Sequence, residues 1–498
     1  MSAVSGGGRG AERLQRLGRA GPDGTPEPAG PSARVSRPVR SIVPQTTPAV
    51  LRLFLLLSSL TTVGLFAAAS ATVESGETAV REIGQGSGPQ VVATADLYLA
   101  LSDMDAQMAR ILLTGRESDL DAGRTEALER YERRRADAGA AILHAADLAG
   151  DDPTERATIH AVLDGLGTYE RLAAEARVLN RQAARPAGPP PERVIATYRR
   201  ASDLMRLELL PKAYNLTLES GTLVRRTYEE KRVELADGRT WSALTGAATV
   251  AILVGAQVYL ARRFRRRINP ALVGATVGAA VLTVVPLVAL THVSGELRVA
   301  KEEGFDAVLL LSRARAISTS MHADQSRYLL DPERADTYTQ VYFEKSQSLL
   351  YLPVGSLRAY YPGVADLAES ARAGREPDHF YGLLGDEARL AAAMDGPSPA
   401  RVLTAYDRFQ SGDRRMRALA NVGDTRGAVV AHLRQEERFL AYDEALRSLI
   451  GTHRRVFEDA IASADEGMAG VRLLPIVLAP AVLLLTAAGV WPRLREYR

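Results

Sequence analysis

The sequence predicts an all-α membrane protein with four transmembrane helices and two duplicated extracytoplasmic helical-bundle domains. Four apolar runs, at 49–73, 241–261, 268–293 and 473–492, hold no Asp, Glu, Lys or Arg beyond Arg52 at the edge of the first. Each is long enough to cross a hydrocarbon core of ~30 Å, which takes about 20 apolar residues. Basic residues mark one end of every run: the arginines up to Arg40 and Arg52, the cluster Arg262-Arg263-Phe264-Arg265-Arg266-Arg267, and Arg493, Arg495 and Arg498. Glu74, Glu77, Glu296 and Glu302 open the opposite ends. Arginine-rich short segments stay on the cytoplasmic side. The expectation is a multi-pass protein of the cytoplasmic membrane with both termini in the cytoplasm and Arg262, Arg263, Arg265, Arg266 and Arg267 as its topology determinants.

In chain order, residues 1–48 are rich in Gly, Pro, Ser and Arg with few large apolar side chains. They bury too little surface to offset chain entropy and read as a disordered cytoplasmic tail. Ala69-Ser70-Ala71 also allows a cleaved signal peptide, but the preceding region is far longer than such signals. The first span, 49–73, leads into an extracytoplasmic bundle at 74–240. Gly84-Gln85-Gly86-Ser87-Gly88-Pro89 interrupts its helical pattern, after which Tyr98, Leu101, Met108, Ile111 and Leu112 recur at helical spacing. Ile159, Val162, Leu163, Leu166, Tyr169, Leu172, Ala173, Ala176 and Leu179 form one apolar face. Breaks at Gly150, Pro186–Pro191 and Pro211 leave room for about four helices, the last running from near Pro211 into the second span, 241–261. The cytoplasmic arginine loop, 262–267, joins it to the third span, 268–293. A second bundle at 294–472, a fourth span at 473–492 and a short tail, 493–498, complete the chain.

The two halves read as copies. Gly188-Pro189-Pro190-Pro191-Glu192-Arg193-Val194 with Tyr198 and Arg200 recurs 208 residues later as Gly396-Pro397-Ser398-Pro399-Ala400-Arg401-Val402 with Tyr406 and Arg408. Leu99, Leu101, Ser102 and Ala106 match Leu309, Leu311, Ser312 and Ala316 at an offset of 210. An internal duplication accounts for both.

The chain has no cysteine, which excludes disulfides, thiolate metal sites and a cysteine nucleophile. Its seven histidines are not paired at metal-ligand spacing, and no HExxH, Walker A, GxGxxG or GxSxG motif is present. No enzyme, metal or cofactor is expected, and the formal net charge of +3 calls for no nucleic acid. The acidic residues between the spans read as members of solvated helices.

Candidate binding residues are few. Asp103 and Asp105 in the first copy are replaced by Arg313 and Arg315 in the second. Opposite charges at equivalent positions either pair the bundles or hold a zwitterionic ligand between them; the plainer reading is solvated faces, since exposed ion pairs are common and weak. Arg193 and Arg200, seven apart, share a helix face and suit a carboxylate fork or salt bridges to neighbouring helices. Gly274 and Gly278 make a GxxxG step for helix packing.

Thr94-Ala95-Asp96-Leu97-Tyr98-Leu99-Ala100-Leu101-Ser102-Asp103-Met104-Asp105-Ala106, together with the arginine cluster followed by Asn269-Pro270, resembles actinobacterial four-span membrane proteins of the GlnX type. That resemblance implies a sensor of glutamine or another amino acid. It implies two partners, an extracytoplasmic solute-binding lipoprotein and a cytoplasmic serine/threonine kinase pathway controlling nitrogen metabolism. The second copy departs from the motif at Arg313 and Arg315. The expected function is a non-enzymatic receptor that detects an extracytoplasmic ligand or loaded binding protein, among membrane lipids and with homo-oligomers as a further partner class. The alternatives are an envelope scaffold and an accessory subunit of a transporter.

Overall fold

The computed structural model describes residues 47–115, 120–149, 152–264, 269–375, 381–386 and 400–495. The disordered-tail reading of 1–48 falls almost wholly outside them, as do the loop arginines Arg265, Arg266 and Arg267 and half of the tail at 493–498. Among the described residues every regular element is a helix, with one isolated antiparallel bridge between Tyr351 and Tyr381. The chain is an all-α membrane protein. Four helical stretches, 48–84, 192–263, 270–330 and 425–495, are long and apolar enough to cross a membrane. Leu51–Arg498 forms one compact unit; Met1–Val50 is counted apart.

Two of those stretches run from a span into the polar bundle through a π-helical turn, and a third has a π turn within the bundle. Helix α1 (Thr47–Arg81) continues through Glu82–Ser87 into α2 (Gly88–Leu113). After α3 (Asp121–Leu148) and α4 (Pro153–Ala183), α5 (Glu192–Leu204) continues through Met205–Leu209 into the long α6 (Leu210–Phe264). In the second half, α7 (Pro270–Val299) continues through Ala300–Phe305 into α8 (Asp306–Leu330). Then come α9 (Ala335–Leu349), α10 (Leu357–Arg372), α11 (Ala400–Asn421), α12 (Thr425–Ala469) and, past a turn, α13 (Leu474–Arg495).

Two expected breaks are therefore not breaks. The glycines at 84–88 do not end the helix; they sit in or next to the widened turn. Pro211 lacks an N–H and its ring crowds the carbonyl four residues back, and the π turn Met205–Leu209 lies just where that relief is needed. Where the sequence signals a start, the structure follows. Asn269 caps α7, its side chain accepting from the Ala271 amide, with Pro270 in the first turn, and its Nδ2 donates to the Gly489 carbonyl at 2.9 Å. Asp152 caps α4 by accepting from the Thr154 and Glu155 amides.

The spans pack through small residues. A Cβ on Gly278 would stand 2.8 Å from Val482 and one on Gly274 3.4 Å from Leu485, so the GxxxG step faces α13. The closest approach is elsewhere: a Cβ on Gly246 would lie 2.2 Å from Thr283, between α6 and α7. Leu56, Leu60, Val277, Val288 and Leu484 stay exposed, as lipid-facing side chains do. Above the spans, Val73, Tyr228, Leu290 and Met468 join α1, α6, α7 and α12 in an apolar collar. Farther out lie two cores, one around Met104, Tyr169 and Met205, the other around Tyr342, Tyr406 and Phe439. The first also takes in Leu329, Met416 and Val429 from the second half, and α2 lies along α8.

Candidate functional site

The site is where α2 of the first half meets α8 of the second. Every residue from Leu99 to Gly115 is buried, as is every residue from Ser318 to Arg327. These stretches of α2 and α8 are thus enclosed on all sides, yet both carry charges. A charge far from water persists only when it is paired and hydrogen-bonded, and here two networks do that.

The first is centred on Asp103. Its carboxylate accepts from Gln107 Nε2 at 2.9 Å, Arg130 Nε at 2.9 Å and Arg134 Nε at 2.8 Å. Arg130 Nη1 then donates to Glu436 Oε1 at 2.7 Å, tying α3 to α12. The other Glu436 oxygen meets His322 Nε2 at 2.7 Å and Arg110 Nη1 at 3.4 Å. Burial alone would raise the Asp103 carboxyl, but Arg130 and Arg134 outweigh it and hold it below the usual range. Burial is likewise outweighed at Glu436, where His322, Arg110 and Arg130 hold the carboxyl far down. His322 stacks on Phe439 at 4.5 Å, and its neighbour His432 contacts Ser326 Oγ at 2.7 Å.

The second network is centred on Asp105. Tyr169 and Ser202 donate to it at 3.1 and 3.2 Å, and Arg327 of α8 donates to it across 222 residues of sequence. Arg327 also donates to Asp324, whose second oxygen accepts from Lys345 Nζ at 2.5 Å; Lys345 reaches Ser320 Oγ at 2.7 Å as well. Burial depresses the Lys345 ammonium, with Asp324 opposing.

The candidate residues from the sequence divide accordingly. Asp103 and Asp105 are core residues in ion pairs, not members of a solvated face, and their partners are Arg130, Arg134 and Arg327 rather than Arg313 and Arg315. Arg315 instead grips Asp443 with two bonds, 2.5 and 3.1 Å. Arg313 is exposed and lies over the Tyr214 ring at 5.2 Å. Arg193 and Arg200 both sit on the exposed face of α5. Between them Arg199, which the sequence reading passed over, crosses to the second half and binds Asp331 at 2.6 and 2.8 Å and Glu333 at 2.7 Å. Arg327, Asp324, His322, Lys345 and Glu436 were missed as well. The signal open to a reader was the density of charge inside α2 and α8, where a half-buried helix would segregate it.

Beside this interface opens a cleft of about 900 Å³ between the α5–α6 strip and the α8–α9 pair. Tyr98, Arg206, Tyr214, Arg313 and Lys345 line it, within the 300–1,000 Å³ typical of ligand pockets. Burial lifts the Tyr98 hydroxyl to about 12, with Asp324 adding to the shift. Among the described residues no cluster of His, Asp and Glu is set to hold a metal ion.

Residues 79–229 match the family model of the actinobacterial sensor domain. No curated protein and no solved structure matches the chain. The matched stretch holds Asp103, Asp105, Arg130, Arg199, Arg206 and Tyr214, so one wall of the interface comes from a sensor-type segment. The match supports an actinobacterial sensor-type protein.

Proposed function

We propose that the chain is a non-enzymatic sensor of the cytoplasmic membrane, in which the polar bundle faces outward and the arginine loop and both termini face the cytoplasm. The observation that carries this reading is the Asp105–Arg327 pair: it joins two helices, each continuous with a membrane span through a π turn. A ligand, or a ligand-loaded solute-binding lipoprotein, that favours one arrangement of α2 against α8 would shift the spans by a small slide or tilt. Interfaces held by buried charge pairs have few alternative registers, because half-broken pairs are costly. The cytoplasmic output would pass to a separate protein, with a serine/threonine kinase pathway as the candidate, or to anionic lipid at the basic loop.

The absence of cysteine makes a test direct. Spin labels at Leu143→Cys and Val254→Cys, both exposed positions, report bundle against span in nanodiscs. Amino acids are then added with and without a candidate lipoprotein, alongside a thermal-shift screen. A distance change or a raised midpoint, about 2.7 kcal/mol at a hundredfold excess over Kd, supports the sensor. A distance and midpoint indifferent to every ligand move the reading to an envelope scaffold or a transporter subunit.

A further inference from the structure

The cleft beside the interface has an unbalanced wall. Five basic side chains line it against two acidic ones. Lys301 is matched by Asp306 at 2.7 Å. Arg206 and Arg313 make no salt bridge or hydrogen bond to a carboxylate among the described residues, although Arg206 lies near enough to Asp324 to feel its charge; they lie over the rings of Tyr338 and Tyr214 at 5.6 and 5.2 Å. The remaining wall is largely apolar, and it includes Leu207 and Leu218, which are 71% and 43% exposed. Exposed leucines beside guanidinium groups that no carboxylate bridges are half of a complementary pair. The missing half is an acid on an apolar body: guanidinium forks onto carboxylate or phosphate oxygens, and the leucines gain by leaving water.

We infer that this cleft binds a small acidic amphiphile, its carboxylate or phosphate held by Arg206, Arg313 and Lys345 and its apolar portion laid along the leucine wall. The site deepens the sensor reading and rests on it for its consequence. Lys345 donates to Asp324, Asp324 accepts from Arg327, and Arg327 donates to Asp105. An acid at Lys345 competes with Asp324 for the ammonium, so occupancy changes the balance of the pair that joins the two halves. A neutral ligand of the same shape has no such leverage.

The test uses the full chain in phosphatidylcholine nanodiscs, with equilibrium binding of decanoate, decyl phosphate and, as the neutral control, decanol. The acids are expected to saturate one site and to bind at least about tenfold more tightly than decanol. R206Q combined with R313Q is expected to weaken the acids at least about tenfold and leave decanol unchanged. R313Q alone, at an exposed position, carries the same comparison if the double variant does not fold. Equal affinity for decanoate and decanol, or acid binding untouched by the arginine substitutions, overturns the inference. Exchanging phosphatidylcholine for phosphatidylglycerol separates the two sources of this chemistry: suppressed decanoate binding identifies a lipid headgroup as occupant, and undiminished binding a free acid. The spin-label distance keeps the two readings apart. Acid binding, with spans that no acid, amino acid or lipoprotein moves, retains the site and removes the sensor reading. Span movement driven by an amino acid or lipoprotein, with no acid bound, does the reverse.

Discussion

Asp105 shows how a single buried residue sets the terms of this interface. Its carboxylate is inaccessible, and Tyr169, Ser202 and Arg327 all donate to it. Asp105→Ala leaves the equally inaccessible Arg327 guanidinium with Asp324 alone as its carboxylate and is expected to destabilise the chain by about 1.5–3 kcal/mol. Asp105→Leu with Arg327→Met removes both charges and should recover most of that loss, which a double-mutant cycle on thermal midpoints would measure; no recovery would mean that the pair is not what holds the halves. A second residue gives a pH signature. Burial first, then His322 and Arg110, hold His432 well below the ordinary histidine value. Below about pH 6.5 the unfolded chain takes up a proton that the folded chain refuses, so stability falls with acidification by about 1.4 kcal/mol per pH unit. The depressed carboxyls of Asp103 and Glu436 lose their contribution only below about pH 4, so the window from 5 to 7.5 excludes them, and the difference between the chain and its His432→Gln variant reports this histidine. His432→Gln should flatten the midpoint in that window, and an unchanged slope would acquit His432. Neither residue's partner was legible in the sequence, because ion-pair choice depends on distance through space and these partners come from remote helices.

At the scale of elements, the π turns are the feature with the most mechanical content. Both turns next to the spans place a glycine against α12. A Cβ on Gly84 would meet Ile461 at 2.8 Å, and one on Gly304 would meet the Phe457 backbone at 2.8 and 2.9 Å. The α12 helix also reaches the second turn through His453, whose Nδ1 donates to the Glu303 carbonyl at 2.7 Å. One helix, itself leading to α13, thus braces both points where spans enter the bundle. Gly304→Ala is expected to cost about 1–3 kcal/mol, because backbone cannot step aside as a side chain can. Gly295→Ala, with nothing within 4 Å, should be neutral or stabilise by up to about 1 kcal/mol. Thermal midpoints showing equal shifts for the two would refute close packing at the turn. The amphipathic α4 was legible: Ile159, Val162, Leu166, Tyr169, Leu172, Ala173 and Ala176 are buried as their spacing predicts. Leu163 of the same set is 49% exposed, because it lies at the margin of the apolar stripe.

For the whole molecule, topology is the testable property. Leu143→Cys on the polar bundle should react with a membrane-impermeant maleimide in intact cells, whereas Arg263→Cys should react only after permeabilisation. The opposite pattern would invert the proposed orientation and place the cleft in the cytoplasm. Association of the two halves belongs to this scale too. Arg199 with Asp331, Arg327 with Asp105 and Arg334 with Asp203 at 3.3 Å all join residues of one half to residues of the other, so the polar part behaves as one body with a cleft in its seam.

The sequence by itself determined the four spans, the charge asymmetry across them and the helical character of what lies between, because hydropathy and periodicity are local properties that each segment carries alone. Tertiary structure decided that α2 and α8 lie at the centre, that the candidate aspartates are buried and joined to Arg130, Arg134 and Arg327, and that a basic cleft opens beside them. The physical reason is that periodicity reports a helix with one face toward water. A helix enclosed on every side has no such face, and its charges take partners that only the packing of distant segments brings within reach.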